Sequence, residues 1–213
     1  MGFKIISLFG LISVGFYFLH IVFGNIFYEG YNPLAQAISD LTADSSPSKN
    51  IARIFSMFYG VFSVIFSIGF FAYLKGKINK IITIASFTFF SMNIISFFGY
   101  TFFPLSESGY AGTFQDIMHM IVTILVVIFT IISLVLFCIG FLKTKEYKCI
   151  GVISIFTLFL LVLGVILINI LPSEYFGIAQ RVNVYSIIIY TGILSLWIYK
   201  NIGNIGIKKK ICE

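Results

Sequence analysis

Six stretches of this chain are apolar for long enough to cross a bilayer, and each is followed by a short polar link. They are roughly Ile5–Phe27, Ile51–Leu74, Ile81–Phe103, Gln115–Phe141, Cys149–Ile170 and Ala179–Tyr199. A span needs about 20 mostly apolar residues. Backbone in lipid has no water to bond, so each stretch is predicted to be a helix. The first has a lysine in front, as a signal peptide does. Its apolar run is too long for one and no small-residue cleavage site follows, so it reads as a retained anchor.

Polar positions inside the stretches are ordered too. Gly10, Ser13, Tyr17, His20 and Gly24 fall on one face of the first helix. So do Arg53, Ser56, Gly60, Ser63 and Ser67 in the second, and Ser86, Asn93, Ser96 and Tyr100 in the third. The fourth carries Asp116, His119, Thr123, Thr130, Ser133 and Gly140. Three-four spacing puts each set on one side of its helix. Small residues let helices approach closely in lipid, and hydroxyls bond across the contact. The seams are expected to pack the bundle, leaving Phe and Ile to face lipid.

The links alternate in charge. Lys4, Lys75, Lys77, Lys80, Lys143, Lys145, Lys148, Lys200, Lys208, Lys209 and Lys210 lie on one side. Glu29, Asp40, Asp44, Glu107, Asp116 and Glu174 lie on the other, with only Lys49, Arg53 and Arg181 as cations. The positive-inside rule makes the lysine side cytoplasmic, and with it both termini. The expected product is an all-α, multi-pass protein of the cell membrane, a single domain over residues 1–213.

Composition agrees. The chain is 59% hydrophobic and 10% charged, with a mean hydropathy of +1.04. That is too little polar surface to clothe a soluble domain. The pI near 9.2 comes from topology lysines and does not imply nucleic acid. Cys138, Cys149 and Cys212 all fall at or near the lysine side, so no structural disulfide is expected.

The first acidic-side link is the longest. Asn32-Pro33 reads as an N-cap followed by proline at the first helical position. A short amphipathic helix through about Leu41 is expected, with Leu34, Ala37, Ile38 and Leu41 on one face, lying as a lid on the bundle mouth. In the second link Pro104 ends the third span, and Thr113 with Asp116 forms a variant capping box.

Ionisable residues at membrane depth are costly and face a cavity or a partner. His20, Arg53, Asn93, Asp116 and His119 gather in the acidic-side half, and that is where a site is expected. Asp116 and His119, at i and i+3, suit the carboxylate–histidine pattern of metal-binding bundles. With Asp40 or His20 as a third ligand they form a zinc-type candidate, and a metal there would activate water or polarise an ester. The alternative is that Asp116 caps its helix and His119 bonds a neighbouring link. Asp40, Asp116 and His119 are also the candidate catalytic set. Ser39 beside Asp40 invites a serine-hydrolase reading, but no Gly-x-Ser-x-Gly is present. Two histidines on different spans raise haem, though His119 sits too near the membrane edge for it. Arg53 and Arg181 fit a phospholipid headgroup through their guanidinium forks; the competing expectation pairs them with carboxylates, Asp40, Asp44 or Glu174. Ser39, Glu107, Asn93 and His20 complete the ligand-binding candidates. No cofactor is firmly implied, and no polar path through the lysine-side half suggests a transporter.

Asn32-Pro33, Ile38-Ser39-Asp40-Leu41, Phe103-Pro104, His119, and Gly177 with Arg181 resemble the bacterial and archaeal six-helix membrane family named domain of unknown function nine-nine-eight. The Ile-Ser-Asp stretch and a histidine opening a later helix are also similar to DRAM-type membrane proteins. The resemblance covers nearly the whole chain and implies six helices with an extracytoplasmic polar site. It implies no reaction. The DRAM likeness implies a lipid as the ligand class. Two functions follow as expectations: a lipid-handling protein with a headgroup site under the lid, or a membrane-embedded hydrolase or transferase acting on a lipid.

Overall fold

A computed structural model describes residues 2–205; Lys208, Lys209, Lys210 and Cys212 lie outside the described residues. These fold into six long helices: α1 (Gly2–Ile26), α2 (Lys49–Leu74), α3 (Lys80–Phe102), α4 (Phe114–Leu142), α5 (Lys148–Ile170) and α6 (Phe176–Asn201). Each is long and apolar enough to cross a membrane. No strand occurs among the described residues. Their bounds lie within a few residues of the expected spans.

Each helix packs against its neighbours in sequence, and α6 returns to α1. The bundle is thus a closed ring of six, in which side chains must fill the centre. The predicted seams supply the inner face. Gly10, Ser13, Tyr17, His20 and Gly24 are all buried in α1. Ser63, Ser67, Ser86, Asn93, Thr130 and Ser133 are buried too, whereas Phe87, Phe98, Phe156 and Phe159 are exposed towards what would be lipid.

The two ends of the ring are filled differently. At the end carrying the described lysines of the links and both helix termini, the centre is an aromatic plug. Phe70 meets Phe89 and Phe137 edge to face, with ring centres 6.3 and 6.1 Å apart. Phe137 meets Tyr190 at 6.2 Å and Phe141 meets Trp197 at 5.1 Å. Phe66, Phe70, Phe89, Phe137, Phe141 and Tyr190 are all essentially without exposure. Such pairs add about 0.5–1.5 kcal/mol each beyond burial. At the other end the interior holds Tyr17, His20, Tyr59, Tyr100, His119 and Tyr185, under the first link.

That link departs from the expected helix. The segment after Pro33 makes one turn, and a 3-10 helix covers only Ile38–Thr42. Asn32 starts the turn as expected: its Oδ1 accepts from the Leu34 N–H at 3.0 Å and Gln36 Oε1 takes the Asn32 N–H at 2.6 Å, donors that a helix beginning there leaves free. The next pairs are lost to other partners. The Pro33 and Leu34 carbonyls go to Arg181 and to the Ile178 N–H, while Ala37, extended at φ −67°, ψ 154°, gives its N–H to Asp40 Oδ2 at 3.0 Å and Ile38 gives its own to Gln180 Oε1 at 2.8 Å. A helix started at Asn32 is therefore closed after one turn. Leu34 stays exposed while Ala37, Ile38 and Leu41 turn inward, so the expected apolar face survives without the expected helix.

Close approach between helices depends on glycine. A Cβ at Gly164 of α5 would lie 2.5 Å from the Asn183 backbone nitrogen of α6, and backbone cannot step aside. Gly164→Ala is expected to cost about 1–3 kcal/mol through overpacking, read as a lower midpoint in thermal unfolding in detergent. Gly15→Ala, where a Cβ meets nothing within 4 Å, is expected to leave the midpoint unchanged or raise it. Equal effects at the two positions would contradict this packing of α5 on α6.

Candidate functional site

The first link is tied down from three directions. From α6, Arg181 Nη1 donates to the carbonyls of Pro33 (2.6 Å), Gln36 (3.0 Å) and Gly177 (2.9 Å). Its Nη2 donates to the Tyr31 hydroxyl at 2.7 Å, and that hydroxyl donates to Ala37 O at 2.8 Å. Burial pushes the Tyr31 phenol above its ordinary pKa, against the opposing pull of Arg181. Gly177 lies under the same turn: a Cβ there would sit 2.5 to 2.8 Å from the carbonyls of Pro33, Gln36 and Leu34. Ile178 N–H reaches Leu34 O at 3.1 Å, and Gln180 Oε1 accepts the Ile38 N–H at 2.8 Å. One turn of α6 thus holds the link by its backbone.

From α2, Arg53 Nε and Nη2 both donate to Thr42 O, at 2.9 and 2.7 Å, and Nη2 meets Asp44 Oδ1 at 2.8 Å. Gln115 Nε2 bonds the other Asp44 oxygen and Pro104 O, each at 2.7 Å. The Gln115 amide first, and then Arg53, hold the Asp44 carboxyl below its usual range. The side chains of this pair are well exposed, so the ion pair itself adds little.

The third tie is to the second link. Asp44 N–H bonds Leu105 O at 2.8 Å and Ser45 N–H bonds Ser106 O at 3.1 Å. Asp40, 2% exposed, accepts from Ala37 N–H and from Gly109 N–H at 3.2 Å. The expected pairing of Asp40 with Arg53 or Arg181 is therefore not formed. Both guanidiniums find carbonyls of the link instead, which leaves Asp40 to the link's own N–H groups.

Asp116 organises the second link as the capping box predicts. Thr113 Oγ1 accepts the Asp116 N–H at 3.2 Å, and Asp116 Oδ2 accepts the Thr113 N–H at 3.1 Å. The carboxylate also takes Ser106 N–H and Oγ–H, each at 2.8 Å, and Ala111 N–H at 3.1 Å. Charge-assisted bonds of this kind are the strong ones. One turn on, His119 is buried with Nδ1 at 2.8 Å from Phe103 O. A carbonyl only accepts, so Nδ1 carries a proton, and in the neutral ring Nε2 is the acceptor. The His119 ring lies 4.9 Å from Tyr100, whose hydroxyl donates to Thr123. Asp116 and His119 thus share a face yet serve different partners. Among the described residues no three His, Cys, Asp or Glu side chains come together as a metal site requires.

His20 differs from every other polar group here. It is 4% exposed, and both ring nitrogens are sealed without a hydrogen-bond partner. An unpaired buried polar group costs about 1–3 kcal/mol. Tyr17 meets its ring edge-on at 5.7 Å, and Tyr59 lies 4.8 Å from Tyr17. Asn93 is deeper, bonded to Ser63 and to Phe89 O. Ser39 is half-buried on the lid, and Glu107 is exposed on the second link.

Residues 11–197 match the family described as Protein of unknown function (DUF998). The chain belongs to this family. The match takes in nearly all of the ring and the whole lid end. Searches of curated proteins and of solved structures found no match.

In this DUF998 chain, the residues that build the lid end are only partly those singled out from sequence. Gln36, Gln115, Gln180, Tyr31 and Ser106 were not among the candidates, although each carries a bond between elements. A signal existed for two of them: Gln115 and Gln180 are amides in the first turn of an apolar helix, each beside a charged candidate. Tyr31 and Ser106 gave none, because their partners, the Arg181 guanidinium and a backbone oxygen for one and the Asp116 carboxylate for the other, are brought in by the fold.

The latch is testable. Hydrogen bonds to a charged group contribute about 1.5–3 kcal/mol, so Arg181→Lys, which loses the fork, is expected to speed amide exchange at Ala37 and Ile38 about tenfold or more. Gly177→Ala is expected to do the same by pushing the turn away. Exchange in the plug segment Phe66–Leu74 is expected to stay unchanged. Undisturbed protection at Ala37 and Ile38 in both variants would show that α6 does not hold the lid.

Proposed function

We propose that this DUF998 protein binds a membrane lipid at the lid end of its bundle, without chemical conversion. The observation that carries this reading is the one-sided interior. Among the described residues the buried Asp and His side chains all lie at or beneath the lid, whereas the other half is plugged by aromatic side chains and its buried hydroxyls bond largely to their own helices. A ring plugged at one end favours holding a molecule at the other over transporting it. The lid's inward side chains, Ile38 and Leu41, are apolar, and the outer helix faces expose Ile and Phe throughout. A ligand arriving here from the bilayer meets apolar surface first and polar groups second, which is the order along a lipid. By the positive-inside rule the lid faces away from the cytoplasm, so the lipid would come from the outer leaflet of the cell membrane. In this reading Arg53 and Arg181 act on the lid, and a headgroup reaches them only once the lid carbonyls release them.

One observation favours a second reading, a lipid hydrolase or transferase. In the neutral ring the Nε2 of His119 is a proton acceptor, as general-base chemistry needs. Asp40 is a buried carboxylate satisfied by only two N–H groups, and Asp116 would orient the neighbouring link. A divalent metal such as zinc would have to draw Asp116 or His119 away from present partners.

Native mass spectrometry of the detergent-purified protein separates the readings. The expected result is a specific lipid adduct, depleted at least severalfold in Asp40→Asn, whose lost carboxylate loosens the lid. His119→Ala is expected to keep the adduct. Turnover of a supplied lipid that His119→Ala abolishes, with thermal stability intact, would establish the enzyme instead. Identical adducts in wild type and Asp40→Asn would remove the lid from the account.

A further inference from the structure

The arrangement around His20 goes beyond lipid binding in general and, resting on that reading, identifies the headgroup chemistry. His20 is the one buried side chain among the described residues whose nitrogens both lack a partner. In an apolar interior, an imidazole gains nothing over phenylalanine unless something bonds it. The protein offers no such group in the closed state.

The lid stands over this residue. Leu41 packs on Gly24, one helical turn beyond His20 on the same face, where an added Cβ would come within 2.9 Å of Leu41 Cδ1. Ile38 packs with Tyr17, one turn before it. The two inward side chains of the 3-10 helix therefore bracket His20. Lifting Ile38–Thr42 removes both at once and opens the imidazole and the Tyr17 ring to the space they filled.

We infer that His20, with Tyr17, receives the hydroxyl of an uncharged lipid, such as a diacylglycerol or a long-chain alcohol. A neutral imidazole presents one N–H and one lone pair, and a hydroxyl both accepts and donates, so it can meet either. A phosphate only accepts, and it brings a negative charge that needs a cation at that depth. The cations that could serve, Arg53 and Arg181, have donors turned onto lid oxygens. Tyr17 lies against the His20 ring, Ile21 and Ile38 pack in the cluster with Tyr17, and Leu41 lies on Gly24 a turn away, apolar surroundings that suit an acyl or isoprenoid stem.

The chain has two histidines, so 15N-histidine labelling reads this site directly, with His119→Gln assigning the signals. In phosphatidylcholine nanodiscs, added dioleoylglycerol is expected to shift the His20 nitrogens saturably, while dioleoylphosphatidylglycerol leaves them in place. His20→Phe, which keeps the ring's bulk, is expected to weaken dioleoylglycerol binding at least tenfold. Because the resonance test uses wild-type His20, it decides the matter even where that variant does not fold. A His20 shift produced equally by the anionic lipid overturns the inference. So does a lipid adduct that depends on Asp40 while His20 stays silent to dioleoylglycerol; that outcome leaves the lipid-binding reading standing. No bound lipid of either kind overturns both.

Discussion

Two carbonyls of the first link and one of α6's own first turn end on a single guanidinium, that of Arg181. The rest of the lid end depends on that convergence. A link crossing the mouth of a helical ring carries backbone polar groups with few apolar contacts to hold them. Arg181 offers several donors in one rigid fork, and Gly177 leaves room for the carbonyls to approach. With the turn at Pro33–Gln36 fixed, Ile38 and Leu41 point inward, and Asp40 comes to lie between the first link and Gly109 of the second. Arg53 then closes the far end through Thr42 O. The two arginines do the same job at opposite ends of one short segment.

The ring explains why such a device is needed. Six helices packed in sequence enclose a centre too wide to be closed by small-residue contacts alone. At the lysine end, large aromatic side chains from α2, α3, α4 and α6 fill it. At the lid end, tyrosines and histidines replace them, and a segment of irregular backbone covers the opening. Irregular backbone at this depth is tolerated where protein satisfies it. Here two arginines, two glutamines and two buried carboxylates do so. Among the described residues only His20 keeps buried side-chain nitrogens without a partner, and the irregular segment lies over it.

The helices were legible in the sequence because length and hydropathy decide them in a bilayer, and the seams because small and polar residues recur at helical spacing. The capping box at Thr113 and Asp116 was legible for the same local reason. The lid was not: Asn32-Pro33 signals a helix start, but Asp40 and Gln180 take the N–H groups, and Arg181 and Ile178 the carbonyls, that the helix would have used. Arg181 and Arg53 were legible as important; the expected pairing with Asp40 does not form and that of Arg53 with Asp44 does, while their carbonyl partners leave no trace in residue type. His20 could be placed at depth from the sequence, but its lack of a partner is a property of packing alone.

The central claim is that the lid controls access to the interior beneath it. The direct measurement is lipid exchange with the lid locked. Leu34 O accepts the Ile178 N–H at 3.1 Å, so the two backbones run side by side, and Leu34→Cys with Ile178→Cys, in a protein with Cys138, Cys149 and Cys212 replaced, is the pair to cross-link, directly or through a short bis-thiol-reactive reagent cleaved by reduction, to tie the lid to α6. The account predicts that a fluorescent diacylglycerol exchanges with the reduced protein, stops exchanging on cross-linking, and resumes on reduction. Exchange that continues unchanged with the cross-link formed would contradict it.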